Sequence, residues 1–287
     1  MRRRAQVIPL RELLERRGTG RSTAGLAAIT FDDGYIGLVE HAYDFFRSEQ
    51  IPTTVFVVTR AAESGSAYWW DRVEDVFPHV TGERWARFEE ACGLPDEYRR
   101  HQPASFGPLR PLRQWILARH SGRWPASLES ALRELEEDAG LRTGQRAASF
   151  EELDRLAGLP WVDFGVHTVS HPVLPLLPDE EVAEEIRGAH DALRARFDRV
   201  VNVLAAPFGL FDERTLRVAR EVGMAATMTL DGGSIEEVWP YGGIPRICMT
   251  AGMGEWRLWA TVRGVERLWR RARGVGRRYP ELPGPRS

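Results

Sequence analysis

The chain has 287 residues, 43% of them hydrophobic, so it is long enough to bury a full core. Its formal net charge of −2 at pH 7 lacks the basic excess typical of a nucleic-acid-binding protein, and we expect no nucleic-acid partner. The sequence contains no lysine, which excludes a Walker A phosphate loop, a Schiff-base lysine and pyridoxal chemistry.

Cysteine usage and hydropathy indicate a cytoplasmic protein. The two cysteines, Cys92 and Cys248, match no zinc or redox spacing. No apolar run approaches the roughly 20 residues that span a bilayer, and no apolar segment of a signal peptide follows the basic N-terminus.

The first strand is predicted over the apolar run 26–31, after a short helical pattern within residues 1–24. It ends at Asp32 and Asp33, followed by a glycine. Two adjacent carboxylates repel each other, and a bound cation relieves this while one carboxylate stays ionised as a base. The alternative is an ordinary strand-to-helix turn with an N-cap aspartate.

The next elements are a helix over 36–48 and a buried strand over 53–58. Residues 61–148 then change in character, being rich in Trp, Arg and Glu, with helical periodicity and no convincing strand. We predict a helical insertion between two strands of the main fold. Its aromatic start, 68–70, fits either a core or a surface on which sugars stack.

Strand–helix alternation resumes after the insertion. Ser149 and Glu152 form a capping box for a short helix. Further helices are predicted around 182–197 and 216–222. Further strands are predicted at 161–166, 200–205, 225–230 and 244–249. Repeated units of this kind imply a parallel sheet, either doubly wound or closed as a barrel.

Chemically distinctive residues follow four of the predicted strands, at the edge where parallel α/β folds assemble their sites. They are Asp32 and Asp33, His167 and His171, Pro207-Phe208-Gly209, and Asp231. Because Pro172 disfavours a helix at His171, we place the two histidines on a turn that converges on one ion. Two histidines and a carboxylate suit a catalytic Zn²⁺ with an open position, and non-haem Fe(II) is the rival.

The aspartate pair and the two histidines together predict a metal-assisted hydrolase of an amide or ester. A cation lowers the pKa of bound water and polarises a carbonyl, while an unligated carboxylate takes the proton. The sequence has no Gly-x-Ser-x-Gly elbow and no credible cysteine–histidine pair, which argues against a covalent acyl-enzyme.

Three motifs resemble, in order, the first three motifs of the polysaccharide deacetylases, the NodB-homology group of carbohydrate esterase family four: Thr30-Phe31-Asp32-Asp33-Gly34-Tyr35, His167-Thr168-x-x-His171-Pro172 and Ala206-Pro207-Phe208-Gly209. The resemblance covers roughly residues 26–60 and 149–248. It implies an α/β fold, a distorted (β/α) barrel of the NodB-homology type with a helical insertion. We expect one such domain over 1–287, with the insertion at 61–148 and a tail at 251–287.

The resemblance also implies an activity, the metal-dependent removal of N-acetyl or other acyl groups from an amino sugar of a polysaccharide or glycolipid. It makes Asp32 the general base and the backbone N–H of Phe208 an oxyanion donor. The divalent metal, with Zn²⁺ the preferred ion, would be held by three ligands: Asp33, His167 and His171. The alternative is a carbohydrate-binding barrel that has little or no activity.

The sequence departs from the family pattern in three ways. Ala205 stands where the family often has an arginine that orients the catalytic aspartate, and Arg246 is our candidate replacement; a surface or ion-pair role is the alternative. The late Leu-x-His motif that supplies the general acid has no counterpart after Met249, which leaves a histidine or carboxylate of the insertion, or water. A strand before the aspartate pair, common in the family, is missing, which suggests an N-terminal truncation.

The tail, 251–287, alternates Trp, Val and Leu with arginines at helical spacing. Such a helix packs on its own domain or lies on an anionic membrane surface, which would give a peripheral membrane contact. Vesicle co-sedimentation of the chain with and without residues 255–287 separates the two.

Overall fold

The structure is a computed structural model that describes residues 5–96, 109–230, 235, 243–249 and 252–262. Six parallel strands form one curled sheet, ordered as in the chain from β3 to β8, and β1 and β2 form a separate parallel pair. The strands are β1 (Gln6–Val7), β2 (Leu26–Ala27), β3 (Ile29–Phe31), β4 (Thr53–Val57), β5 (Val162–Val166), β6 (Val200–Ala205), β7 (Ala226–Thr229) and β8 (Gly243–Pro245).

Helices lie in those connections between paired parallel strands that the structure describes in full, as parallel pairing requires. They are α1 (Leu10–Gly18), α2 (Gly37–Glu40), α3 (Tyr43–Glu49), α4 (Thr59–Ser64), α5 (Trp69–Val76), α6 (Gly82–Ala91), α7 (Arg110–His120), α8 (Glu129–Ala139), α9 (Phe150–Ala157), α10 (Asp179–Arg196), α11 (Glu213–Glu221) and α12 (Glu255–Val262). Short 3₁₀ turns occupy Phe77–His79, Ala126–Leu128, Leu174–Leu176 and Pro207–Gly209.

The two faces of the sheet pack against different layers, because side chains alternate along a strand. On β4, Val55 and Val57 point into the main core, where they meet α9 and α10. Phe56, between them, points to the opposite face and packs with Leu10 of α1 and residues of β6, β7 and β8. The strands are therefore covered on both sides, as in a barrel.

In the described part of residues 61–148 every regular element is helical, and these helices have a hydrophobic cluster of their own. An isolated antiparallel bridge between Tyr35 and Ala147 marks where this segment returns to the sheet. The helical character agrees with the expectation from sequence. The division into one domain over 1–287 with an insertion and a tail stays a prediction.

Three predicted elements differ from the observed ones. The strand expected over 26–31 is two strands, because β1, which the sequence analysis missed, pairs with Leu26 and Ala27 while β3 pairs with β4. A strand does precede the aspartate pair, at Gln6–Val7, but it pairs with β2 and lies outside the six-stranded sheet. The helix expected over 36–48 is divided into α2 and α3, and the last strand ends at Pro245, which pairs with Thr229, the last residue of β7.

The other strands and helices occur where the periodicity predicts them, and the capping box of Ser149 and Glu152 is formed at the start of α9. Asp231 and most of the tail, residues 263–287, lie outside the described residues. Among the described helices none is long and apolar enough to cross a membrane.

Candidate active site

Asp33, His167 and His171 converge at the carboxyl ends of β3 and β5. Asp33 Oδ1 lies 3.3 Å from His167 Nε2 and 3.4 Å from His171 Nε2. One ligand atom from each of the three residues fits within 4.8 Å of the others. Both histidine side chains are nearly fully buried, and the aspartate side chain is about one-fifth exposed. The three residues predicted to share a metal are thus brought together.

The histidines lie on an irregular loop, not on a helix, as Pro172 predicted. Thr168 and His171 both adopt left-handed backbone conformations, with φ of 68° and 57°, and Asp33 does so too, with φ of 68°. Non-glycine residues rarely do this, and such strain is concentrated at functional sites. The Thr168 hydroxyl accepts a hydrogen bond from the His171 amide at 2.9 Å, which closes the turn.

The imidazoles of His167 and His171 differ in their hydrogen bonds and in the direction of their pKa shifts. His167 Nδ1 lies 2.8 Å from the Ala205 carbonyl oxygen, to which it donates, and Nε2 is then left facing Asp33. Burial alone would lower the His167 pKa, but contact with Asp33 and the charges of both aspartates raise it. Burial and the neighbouring His167 lower the His171 pKa to about 3, so His171 is neutral at pH 7.

A cation fits this group of atoms. Among the described residues no donor satisfies the buried Asp33 Oδ1, although it faces two imidazole nitrogens. A buried carboxylate oxygen without a partner is costly, and a bound cation removes that cost. Two imidazole nitrogens and one carboxylate oxygen are also ligands that a catalytic Zn²⁺ site uses.

Asp32 faces a different partner, the guanidinium of Arg246. Arg246 Nη1 and Nη2 donate to the two Asp32 carboxylate oxygens at 2.6 and 2.7 Å, and Nη1 lies 3.2 Å from Thr30 Oγ1. Burial raises the Asp32 pKa, but the charges of His167 and Arg246 and the hydrogen bonds from Arg246 outweigh burial and hold it below its ordinary value. Arg246 directly follows β8, although the strand predicted over 244–249 had included it.

Aromatic rings enclose His171. The Phe208 ring lies 4.5 Å from it and the Trp70 ring 4.9 Å, and Tyr68 stacks on Trp70 at 4.6 Å. Among the described residues no partner hydrogen-bonds His171 Nδ1, so these rings hold the imidazole plane. The aromatic residues at the start of the insertion therefore have different surroundings. Trp69 belongs to the helical core, and half-buried Trp70 borders the site.

Phe208 lies on the turn after β6 and has a left-handed backbone, with φ of 58°. The contact of its ring with His171 places Phe208 at the same edge of the sheet as Asp33, His167 and His171. Its predicted role as a backbone oxyanion donor stays a prediction.

Tyr35 and Asp71 are two site residues that the sequence analysis missed. The Tyr35 hydroxyl donates to Asp71 Oδ2 at 2.7 Å and accepts from Trp70 Nε1 at 3.0 Å. Burial raises the Asp71 pKa to about 6, helped by the charge of Asp33 and opposed by the hydrogen bond from Tyr35. Asp71 directly follows Trp70 in the chain, so the aromatic motif contained the signal, but its carboxylate was overlooked.

A family model described as polysaccharide deacetylase matches residues 19–101 and 140–227. The matched ranges differ from the 26–60 and 149–248 expected: the first part begins at residue 19 and runs through residue 101, well into the segment taken as an insertion. The second part begins earlier, at 140, and ends at 227. The sequence matches none of the curated proteins with which it was compared.

Three solved structures share the fold over about nine-tenths of this chain. Streptococcus pyogenes deacetylase PplD in complex with acetate is 15% identical with a TM-score of 0.57, and 79% of it is covered. IcaB from Ammonifex degensii is 16% identical, with a TM-score of 0.54 and 82% covered. A de-N-acetylase from Aggregatibacter actinomycetemcomitans is 11% identical, with a TM-score of 0.53 and 84% covered. The predicted distorted (β/α) barrel is confirmed.

Proposed function

The chain belongs to the polysaccharide deacetylase family, whose enzymes hydrolyse amide bonds of acetylated sugars, and from that membership we propose a specific reaction. The protein removes N-acetyl or other acyl groups from an amino sugar of a polysaccharide or glycolipid, with Asp32 as general base. The observation that carries the proposal is the geometry of the aspartate pair. Asp33 faces two histidines, and the adjacent Asp32 is held by Arg246.

Asp33, His167 and His171 would hold a divalent cation, with Zn²⁺ the proposed ion. When bound, such an ion polarises the acyl carbonyl and makes water a nucleophile near neutral pH. The neutral His171 would offer an imidazole lone pair to the ion, and His167, whose Nδ1 donates to Ala205, would offer Nε2 after losing the proton that Asp33 stabilises there. Fe(II) is the competing ion for the same ligands.

Asp32 would take the proton from the attacking water. Its carboxylate is kept ionised because the charges of His167 and Arg246 outweigh the effect of burial on its pKa. The bidentate contact also fixes the direction of the carboxylate, as paired hydrogen bonds from arginine do. In this proposal Arg246 provides what the family arginine, replaced here by Ala205, provides elsewhere.

The Phe208 backbone N–H would donate to the developing oxyanion, as preorganised amides do in other acyl-transfer sites. Its left-handed conformation and the packing of its ring on His171 support this role. The aromatic rings around His171 would exclude bulk water from the reacting acyl group. Membrane contact through the tail at 251–287 stays a prediction.

Acetate release from N-acetylglucosamine oligomers by metal-loaded protein tests the proposal. We expect release by the native sequence and a loss of about 10²- to 10⁴-fold in Asp32→Asn, because the substitution removes the proton acceptor and keeps the shape. Asp44→Asn, a change of an exposed aspartate on α3, is the matched control and should keep full activity.

Equal rates in the native protein and Asp32→Asn would reject Asp32 as the base. Glycan binding without release of any acyl group, in protein with a full complement of metal, would favour the alternative of a carbohydrate-binding barrel. Measuring metal content alongside acetate keeps these two outcomes apart.

A further inference from the structure

The loop that carries both histidines has a backbone that needs external support. Two of its five residues, Thr168 and His171, are in the left-handed region, where a side chain is unfavourable. Such conformations persist when surrounding contacts over-determine them. The hydrogen bond within the turn, from the His171 amide to Thr168, accounts for only part of that support.

Glu185, on α10, supplies an anchor from behind the loop. Its side chain is only 8% exposed, so its charge needs hydrogen-bond partners. Glu185 Oε2 accepts from the amides of Val169 and Ser170 at 2.9 and 2.8 Å. Glu185 Oε1 accepts from the Ser170 hydroxyl and from Arg123 Nη2 at 2.7 Å. One carboxylate thus fixes the two residues that immediately precede His171.

Arg123 approaches the same loop from the segment between α7 and α8. Its Nε donates to the Ser170 hydroxyl at 2.8 Å, and its Nη1 donates to Glu181 at 2.6 Å. The guanidinium therefore uses three nitrogen atoms to join the histidine loop to two carboxylates of α10. None of these hydrogen bonds involves Asp33, His167 or His171 directly.

The residues next to Arg123, Ser121 and Gly122, also contact the surroundings of His171. The Ser121 carbonyl accepts from the Val173 amide, two residues after His171, at 2.7 Å. Gly122 lies so close to Phe208 that an added Cβ would be 2.7 Å from the ring. The segment 121–123 therefore contacts both the loop and the ring that packs on His171.

We propose that Arg123 and Glu185 are positioning residues that set the metal affinity of this protein by holding His171 in register with His167 and Asp33. The inference rests on the proposed metal site and extends it to the helical segment, which becomes part of the support of the site. A purely structural ion pair would contribute to stability and leave the ligand geometry unchanged.

Arg123→Ala is the first variant, and Arg113→Ala is its matched control, since Arg113 forms an exposed ion pair with Glu74 at 2.8 Å in the same helical segment. The Zn²⁺ dissociation constant is measured by competition with a chelator, and the visible spectrum of Co²⁺-loaded protein reports ligand geometry. We expect Arg123→Ala to weaken Zn²⁺ binding about 10- to 100-fold and to alter the Co²⁺ spectrum, and the control to change neither.

Arg123→Lys should recover part of the affinity, because it restores the charge but not the three-way contact. Glu185→Gln should weaken binding at least as much as Arg123→Ala, and circular dichroism of the metal-free proteins shows whether each variant folds. If Glu185→Gln fails to fold, the Arg123→Ala and Arg123→Lys variants still test the proposed effect on metal affinity.

Folded Arg123→Ala protein with native Zn²⁺ affinity and a native Co²⁺ spectrum would overturn the inference, even if its melting temperature fell. Neither the Zn²⁺ dissociation constant nor the Co²⁺ spectrum depends on catalytic activity. A native protein that binds zinc but releases no acetate would contradict the proposed function and leave this inference standing.

Discussion

At the scale of single residues, Asp32 and Asp33 contact different partners. Asp32 and Asp33 are neighbours, yet one carboxylate meets the Arg246 guanidinium and the other meets two imidazoles. The left-handed backbone at Asp33 turns the chain between them. Two like charges side by side are thereby stabilised separately, one by an arginine and the other, in our proposal, by a cation.

Substituting Arg246 tests the first of these contacts. Arg246→Lys should lower the rate of acetate release about 10-fold, because a lysine keeps the charge but loses one of two charge-assisted hydrogen bonds. Arg246→Gln should cost more. Since Arg246 lowers the Asp32 pKa, removing the charge raises that pKa, and the acidic limb of the pH–rate profile should move to higher pH.

Arg217→Lys, a change in an exposed ion pair with Asp179, is the control for this measurement. An acidic limb at the same pH in the native protein and Arg246→Gln would show that Arg246 does not tune the base.

Sequence motifs pointed to Asp32, Asp33, His167 and His171 as candidate site residues, because each pair follows a predicted strand. The contact between Arg246 and Asp32 could be offered only as one alternative, since 214 residues separate them and the curl of the sheet brings them together. The pairing of Tyr35 with Asp71 was missed, although Asp71 directly follows the aromatic motif, because the sequence does not show that the two residues meet. Their hydrogen bond depends on how the helical segment packs over the site.

At the scale of elements, the strands differ in how far their own sequence determines them. β5 and β6 occur where predicted, and most of their residues are apolar and buried in the sheet. Pairing partners decide the ends of β2 and β3, and a run of six residues, five of them apolar, does not reveal that the chain changes partner at Ala28. Short strands of this kind depend on tertiary contacts.

Gly165 on β5 gives a prediction at this scale. A Cβ there would lie 2.5 Å from the ring of the fully buried Phe56 on β4. We expect Gly165→Ala to lower the free energy of unfolding by about 1–3 kcal/mol, measured by urea denaturation, because the packed interior must shift to admit one methyl group.

Gly144→Ala is the matched control, since nothing lies within 4 Å of a Cβ at that position. Adding Phe56→Leu to Gly165→Ala should recover part of the loss by making room. Equal effects of the two alanine substitutions would contradict the packing argument.

At the scale of the whole molecule, the sheet is an open barrel whose first and last strands, β3 and β8, are joined at the mouth by side chains. Arg246, after β8, reaches both Thr30 on β3 and Asp32 beyond it. The same contact that orients the proposed base thus links the two edges of the described sheet. The alternating pattern predicted a parallel α/β fold, but this closure depends on curvature that no local pattern encodes.

The central claim is that Asp33, His167 and His171 hold one metal ion on which deacetylation depends. It is tested most directly by measuring bound metal and acetate release together while a chelator strips the protein and Zn²⁺ restores it. We predict about one ion per chain at full activity, a parallel loss of both quantities, and parallel recovery. Undiminished acetate release from metal-stripped protein, or equal zinc binding by His171→Ala, would contradict the account.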